Sequence, residues 1–163
     1  MDTQALSRSS DPRKSKIPLL AIEKRGLAQF NGVKTMIGIA AVQAANQRFY
    51  RAFETLDIDQ MRRVWDDEYE VTCVHPGWPL VQGTTEVMQS WASIFQNTMV
   101  MQFTITEESL QIEGNWAWAV CTESLRSVVD GRVSEGKVEA TNIFRKRGER
   151  WMIVHHHGSP VMA

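Results

Sequence analysis

The chain has four histidines in 163 residues, and three of them are consecutive. The triplet lies in "WMIVHHHGSP", Trp151 to Pro160, and the fourth, His75, stands in "VTCVHPGWP". A histidine with an ordinary pKa near ~6.5 can give and take protons at neutral pH, so these four are the first candidates for acid–base chemistry. On a strand, alternate side chains share a face. His155 and His157 are thus expected to point one way with Trp151 and Ile153, and His156 the other way with Met152 and Val154. A purification tag would be longer and would lie outside structure, whereas this triplet continues "RWMIV" and precedes "GSP". A zinc site would need a third protein ligand and supporting carboxylates, which the spacing does not supply, so no metal is expected.

His75 can act as a base, or it can cap a strand and bond loop backbone before Pro76. His155 and His157 can line the mouth of a pocket and orient a carbonyl or carboxylate, or their rings can bond backbone and the "HPGWP" loop. Trp78, Trp91 and Trp118 can wall off a flat apolar ligand, or they can be core and interface mass. Cys73 and Cys121 have no ligand spacing and read as buried free thiols in a reducing, cytoplasmic setting. Arg126, Arg145 and Glu123 read as solvated charges on a sheet face, and Tyr50 and Tyr69 as packing residues.

The elements that must position these residues follow from periodicity. Residues 1–38 mix Ser, Pro, Gly and basic side chains without a sustained period and read as a flexible basic extension, with Met36 an alternative natural start. "IPLLAI" is too short for the apolar core of a secretory signal and is followed by Glu23, Lys24 and Arg25. From Ile39, apolar residues recur at three and four through Val42, Ala45, Phe49, Ala52, Phe53 and Leu56, which makes one face of a helix. Asp57 or Asp59 caps a short second helix with Met61, Val64 and Trp65 inward. "YEVTCVHP" alternates as a strand, "GWPLVQG" reads as a loop, and "TTEVMQSWASIFQN" as a third helix capped by Thr84 or Thr85. Four further strand candidates are separated by "EGN", "DGR" and "RGER" turns. Helices followed by a meander give an α+β domain over residues 39–163, with about three helices on one face of a curved, cone-shaped antiparallel sheet.

Charge bounds the partners. Residues 1–34 carry 7 − 3 = +4, and the remainder carries 11 − 16 = −5, an acidic body ill suited to binding nucleic acid. No run approaches the ~18 apolar residues of a membrane span.

The order of elements, with "VHPGWPLVQGTTEVMQSWASIF", "ATNIFRKRGERW" and "IVHHHGSP", resembles the SnoaL-like, ketosteroid-isomerase-like branch of the nuclear-transport-factor-two-like superfamily over residues 39–163. The last motif is also similar to the end of the association domain of calmodulin-dependent kinases. The resemblance implies a cone that holds a small molecule, and that superfamily hosts enzymes and scaffolds alike. It also implies where isomerase groups would stand. Phe49 falls where the family has its oxyanion tyrosine, with Tyr50 one position on and about 100° round the helix. His75 is the titratable group nearest the place of the base, and Asn142 takes the place of the acidic donor. Ketosteroid isomerisation itself is therefore not expected.

Two functions remain in view. One is a homodimeric protein that binds a small hydrophobic carbonyl compound, as isomerase, cyclase or hydrolase, with His75, Asn142 and His157 catalytic and Trp78, Trp91, Trp118 and His155 lining the ligand, without a cofactor. The other is a non-catalytic homo-oligomeric interaction module, and the sequence leaves open which applies.

Overall fold

The computed structural model describes residues 19–162, and for residues 19–32 and 34 the backbone alone. The chain divides into two units, Met1–Lys34 and Thr35–Ala163, and the second holds the sheet and everything discussed below. In the first unit, residues 1–18 of the expected extension lie outside the described residues, and the backbone is helical from Leu19.

Helix α1 (Leu19–Glu54) therefore starts twenty residues before the apolar stripe that announces it. Its upstream part is rich in Leu, Ala, Glu, Lys, Arg and Gln, good helix formers that leave no core-facing period to read. The stripe itself faces inward as its spacing requires: Val42, Ala45, Phe49 and Ala52 are buried. Helix α2 (Ile58–Val64) is capped by the Asp57 carboxylate, which accepts from the backbone N–H groups of Asp59 and Gln60. Trp65, just past its end, is extended rather than helical and bridges Ile153. Helix α3 (Thr84–Gln96) is preceded by Gly83 at φ 96°, not by a threonine cap, and the Glu86 carboxylate occupies the space a Cβ at that glycine would need.

The six strands are β1 (Thr72–Val74), β2 (Val81–Gln82), β3 (Val100–Glu113), β4 (Trp116–Val129), β5 (Arg132–Arg147) and β6 (Arg150–Pro160). Their order across the sheet is β2-β1-β6-β5-β4-β3. The sheet is curved and unclosed, with β2 and β3 as its edges. The "GWPLVQG" segment contributes β2, too short to show a period of its own, and β1 is shorter than "YEVTCVHP". The β1–β6 junction is parallel, whereas the others are antiparallel. Asp130 and Gly131, at φ 49° and 74°, make the tight β4–β5 turn for which "DGR" is suited.

Two bulges decide what enters the interior. On β3, Glu107 (φ 54°) and Glu108 intervene between the pairs Thr106↔Thr122 and Ser109↔Val120, so two residues stand opposite Cys121. On β6, Val154 is the extra residue between Phe144↔Ile153 and Ile143↔His155. The alternation expected for "WMIVHHH" is thus reset by one. Ile153 and His156 face the helices, and His155 and His157 face the opposite side with Ile143 and Thr141.

Candidate functional site

The helix-facing side of β4 runs Ala117, Ala119, Cys121, Glu123, and all four are buried. Small residues at the first three leave room for α1 to lie close. Asn46 and Tyr50, one turn apart on α1, then meet the sheet where Glu123 and Asn142 project from it. Glu123 is 3% exposed, Asn142 0%, Asn46 1%, Tyr50 5% and His156 2%, so a band of polar side chains is enclosed where apolar packing would be the default.

Each member has a defined bond. The Tyr50 hydroxyl donates to Glu123 Oε1 at 2.7 Å and lies 3.2 Å from Cys121 Sγ. Asn142 Nδ2 donates to Asn46 Oδ1 at 2.8 Å, with the Tyr50 oxygen 3.5 Å away. His156 Nδ1 lies 2.7 Å from Asn142 Oδ1, which makes that ring nitrogen the donor, because an amide oxygen can only accept. Asn46 Nδ2 in turn donates to Glu108 Oε1 at 2.8 Å, and Gln43 reaches the other oxygen of that bulge carboxylate. The chain of bonds crosses from β3 through α1 to β4, β5 and β6.

A second group adjoins it. His75 Nε2 lies 2.8 Å from Ser90 Oγ, whose hydroxyl donates to the Val87 carbonyl. The His75 imidazole is held between Trp78 and Trp91, at ring separations of 5.1 and 4.5 Å. Trp91 also meets His156 at 5.8 Å, so one indole contacts both histidines. Its Nε1 is the one buried side-chain nitrogen or oxygen without a hydrogen-bond partner among the described residues. Gly158 packs within 3.1 Å of Pro76 at the point where a Cβ would sit, and this close approach seats the loop that carries His75.

Electrostatics separates the two groups. Burial pushes the Glu123 carboxyl up to about 7, against the opposing effect of the Tyr50 hydrogen bond. The same burial, with the Glu123 charge beside it, pushes the Tyr50 phenol well above its ordinary value. Burial raises Cys121 to about 11 and moves Cys73 upward as well, so both free thiols stay protonated and unreactive. Desolvation lowers His75 to about 4, and it lowers His156, with like-charge contributions from His75, His155 and His157, to about 3. Both interior imidazoles are neutral and weakly basic at pH 7. The group poised to exchange a proton near neutrality is Glu123.

Of the residues expected from sequence, the structure brings Asn142 into this cluster and places His75 beside it through Trp91. His157 and His155 do not join them: the Val154 bulge turns both to the other face, where His155 Nδ1 bonds Thr72 Oγ1 at 2.6 Å. Trp91 is interior, Trp78 is 43% exposed over His75, and Trp118 pairs with Ile143 on the outer face. Glu123 is not a solvated charge and Tyr50 is not only packing. Their signals were available: Glu123 keeps the alternation of Ala117, Ala119 and Cys121, and Tyr50 lies one turn from Asn46 on a helix otherwise apolar on that side. Arg145 likewise is engaged, donating to the fully buried Asp66 at 2.9 Å.

Around the cluster, Phe49, Phe53, Trp91, Phe95 and Phe103 form a run of edge-on and tilted ring contacts. Phe103, only half-buried, rests on Tyr50 at 5.4 Å and on Phe53 at 4.7 Å. A groove of about 430 Å³ lies elsewhere, between α2 and the β5–β6 turn, and a trough of about 710 Å³ runs over β3, β4, β5 and the C-terminal segment. Among the described residues, no three His, Cys, Asp or Glu side chains are grouped to hold a metal ion, and no helix is long and apolar enough to cross a membrane.

Comparison with known proteins agrees with this architecture. A solved structure from Streptomyces avermitilis, a proposed dehydratase of the NTF2-like family, superposes with a TM-score of 0.75 at 36% identity, covering 79% of this chain and 99% of that one. A proposed calcium/calmodulin-dependent protein kinase type II association domain from Thiobacillus denitrificans gives a TM-score of 0.66 at 28% identity over 74% and 94% of the two chains. The F-box protein SKIP8 of Arabidopsis thaliana is 29% identical over 142 residues, 86% of this chain but only 59% of the relative. The chain spans well under two thirds of that relative's length. The model of the SnoaL-like domain matches residues 42–163, and the chain therefore belongs to the SnoaL-like family.

Proposed function

We propose that the interior cluster binds a small, largely apolar carbonyl compound and moves a proton on it, with Glu123 as the acid–base group. The observation that carries this reading is a carboxyl buried with no cation beside it among the described residues, bonded to a phenol and poised near pH 7. A buried carboxyl costs stability, and the cost is unexplained by packing alone. As carboxylate, Glu123 accepts a proton from a carbon next to a carbonyl, and as carboxylic acid it returns one, either to carbon or to a leaving hydroxyl. The S. avermitilis relative's dehydratase name fits the second course. Asn142 keeps a second amide hydrogen beyond its bond to Asn46, a donor able to hold the carbonyl oxygen while charge develops on it, and the Tyr50 hydroxyl, donated to Glu123, positions the carboxyl. Phe103, half-buried, rests on Tyr50 at 5.4 Å. His75, neutral and tied to Ser90, orients the Trp78 loop rather than acting as base.

The test needs no known substrate. Simple ketones and enones are incubated with the protein in D2O, and deuterium uptake next to the carbonyl is followed by NMR. Glu123→Gln abolishes uptake above buffer and Tyr50→Phe lowers it. Absence of exchange in the wild-type protein, or exchange unaltered by Glu123→Gln, refutes the proposal.

A second reading concerns assembly and rests on the outer sheet face, where Trp116 and Val120 are each 39% exposed on β4 beside Trp118. A matching face on a second copy covers them in a homodimer. Light scattering on the wild type and on Trp116→Lys with Val120→Lys distinguishes the outcomes, and a wild-type monomer rules the reading out.

A further inference from the structure

Five of the eleven basic side chains of the acidic body line two cavities that share Arg150. The α2 groove of about 430 Å³ is lined by Arg62, Arg63, Arg147 and Arg150 with Asp67, over Trp65 and Met152. A neighbouring cavity of about 370 Å³ is lined by Arg48, Glu149 and the same Arg150, against Ala41, Ala44 and Trp151. The lining of the two holds five guanidinium groups and two carboxylates, and Asp59, Asp66 and Glu68 pair with Arg62 and Arg147 beside it.

The carboxylates present are already committed. Arg147 is ion-paired with Asp66, Asp67 and Glu68, and Asp66 also holds Arg145. Arg62 pairs with Asp59, and Glu149 with Lys146. Among the described residues, no ion pair engages Arg63, Arg48 or Arg150. Asp57, which caps α2, is within electrostatic reach of Arg63, and Asp67 within reach of Arg150. Arg150 is also pre-positioned: one guanidinium nitrogen donates to the Arg63 carbonyl at 3.1 Å, which fixes the plane of the group and leaves its other N–H donors directed elsewhere. Arg48 is desolvated and crowded by the like charges of Arg150 and Arg51, which holds its guanidinium below the ordinary arginine range. Arg48, Arg63 and Arg150, which line the two cavities outside these ion pairs, are groups that an anion with several acceptor oxygens can stabilise.

We infer that the groove between α2 and the β5–β6 turn is an anion site for a small phosphate-bearing ligand, held chiefly by Arg63 and Arg150 with Arg48 behind them. The size of the cavity and the negative charge of the surrounding body favour a compact dianion over an extended polyanion. The Trp65 and Met152 floor gives an ester substituent an apolar surface to rest on. The site shares no residue with the Glu123 cluster, so it stands whether or not that cluster is catalytic.

The experiment is calorimetric titration of the full chain with inorganic phosphate and with pyrophosphate, at an ionic strength held near ~0.1 M with sodium chloride, where charges are screened beyond ~10 Å. Saturable one-to-one binding is expected, weakened at least ~10-fold in Arg63→Gln with Arg150→Gln, with an unchanged circular dichroism spectrum. Should the double variant not fold, Arg150→Lys serves instead: it keeps the charge and loses the fork, and weaker binding is again expected. The proposal is overturned if neither anion binds, if affinity is unaltered in the folded variants, or if a Glu-rich peptide binds there while phosphate does not.

Discussion

Replacing Glu123 by glutamine separates a functional carboxyl from a structural one by pH alone. In the unfolded chain the carboxyl titrates near its ordinary 4.5, and in the folded protein burial raises it to about 7. Between those values the native state holds a proton that the unfolded chain has released, so stability falls as pH rises through the window. Below pH 4.5 the penalty is absent, and above about 7 it is complete. At about 1.36 kcal/mol for each pH unit of that window, the penalty reaches about 3 kcal/mol at most. Glutamine keeps the acceptor for the Tyr50 hydroxyl and never ionises, but its amide hydrogens need partners, which offsets about 1 kcal/mol or more. That offset is the same at every pH, so between pH 4.5 and pH 8 the variant is expected to gain up to about 3 kcal/mol on the wild type, read as the difference between urea unfolding curves measured at both pH values. Taking the difference largely cancels the histidines, which titrate in both proteins. Parallel wild-type and variant curves across the window would show that the carboxyl is hydrated in solution, and the acid–base assignment would fall with it.

Tyr50→Phe removes the bond that opposes the rise, so the Glu123 carboxyl should titrate higher than in the wild type, which a carbon-13 titration of labelled glutamate detects. On the acid side, the lowered His75 must become charged on unfolding. Stability present above pH 6.5 is lost as pH falls toward 4, by up to about 3 kcal/mol, and His75→Gln should flatten that limb of the stability curve. Asp66→Ala leaves the Arg145 and Arg147 guanidinium groups, each less than a third exposed, without their buried partner. A loss of about 3 kcal/mol in urea unfolding is expected.

The fold was legible because its signals are redundant. Alternation in "NWAWAV" and "EATNIF", glycine at each hairpin turn and the three-and-four spacing of α1 all require the same α+β arrangement. Asn142 was singled out by the family resemblance, and its phase on β5 puts it inward with Ala140 and Phe144. The histidine assignment failed because a bulge is one unpaired residue, and nothing in "WMIVHHH" marks Val154 as the extra one. The inward His156 and outward His157 follow from that single slip. Glu108 on β3 was hidden in the same way, by a bulge that no glycine announces. The parallel β1–β6 pairing escaped because three-residue strands carry too little period to reveal their neighbours.

Both bulges belong to one arrangement. The β3 bulge stands opposite Cys121 and turns Glu108 toward Asn46, and the β6 bulge turns His156 toward Asn142. Between them the bonds run from α1 to four strands, and the amides and the imidazole suffice to tie the helix to the sheet. Glu123 is not required for that tie. Its partner is a phenol whose oxygen could be dispensed with, and an apolar residue of similar size would remove a desolvated carboxyl. A structural cluster has no use for such a group, whereas a site that moves protons depends on it, and this difference is the ground on which chemistry is proposed for the interior band.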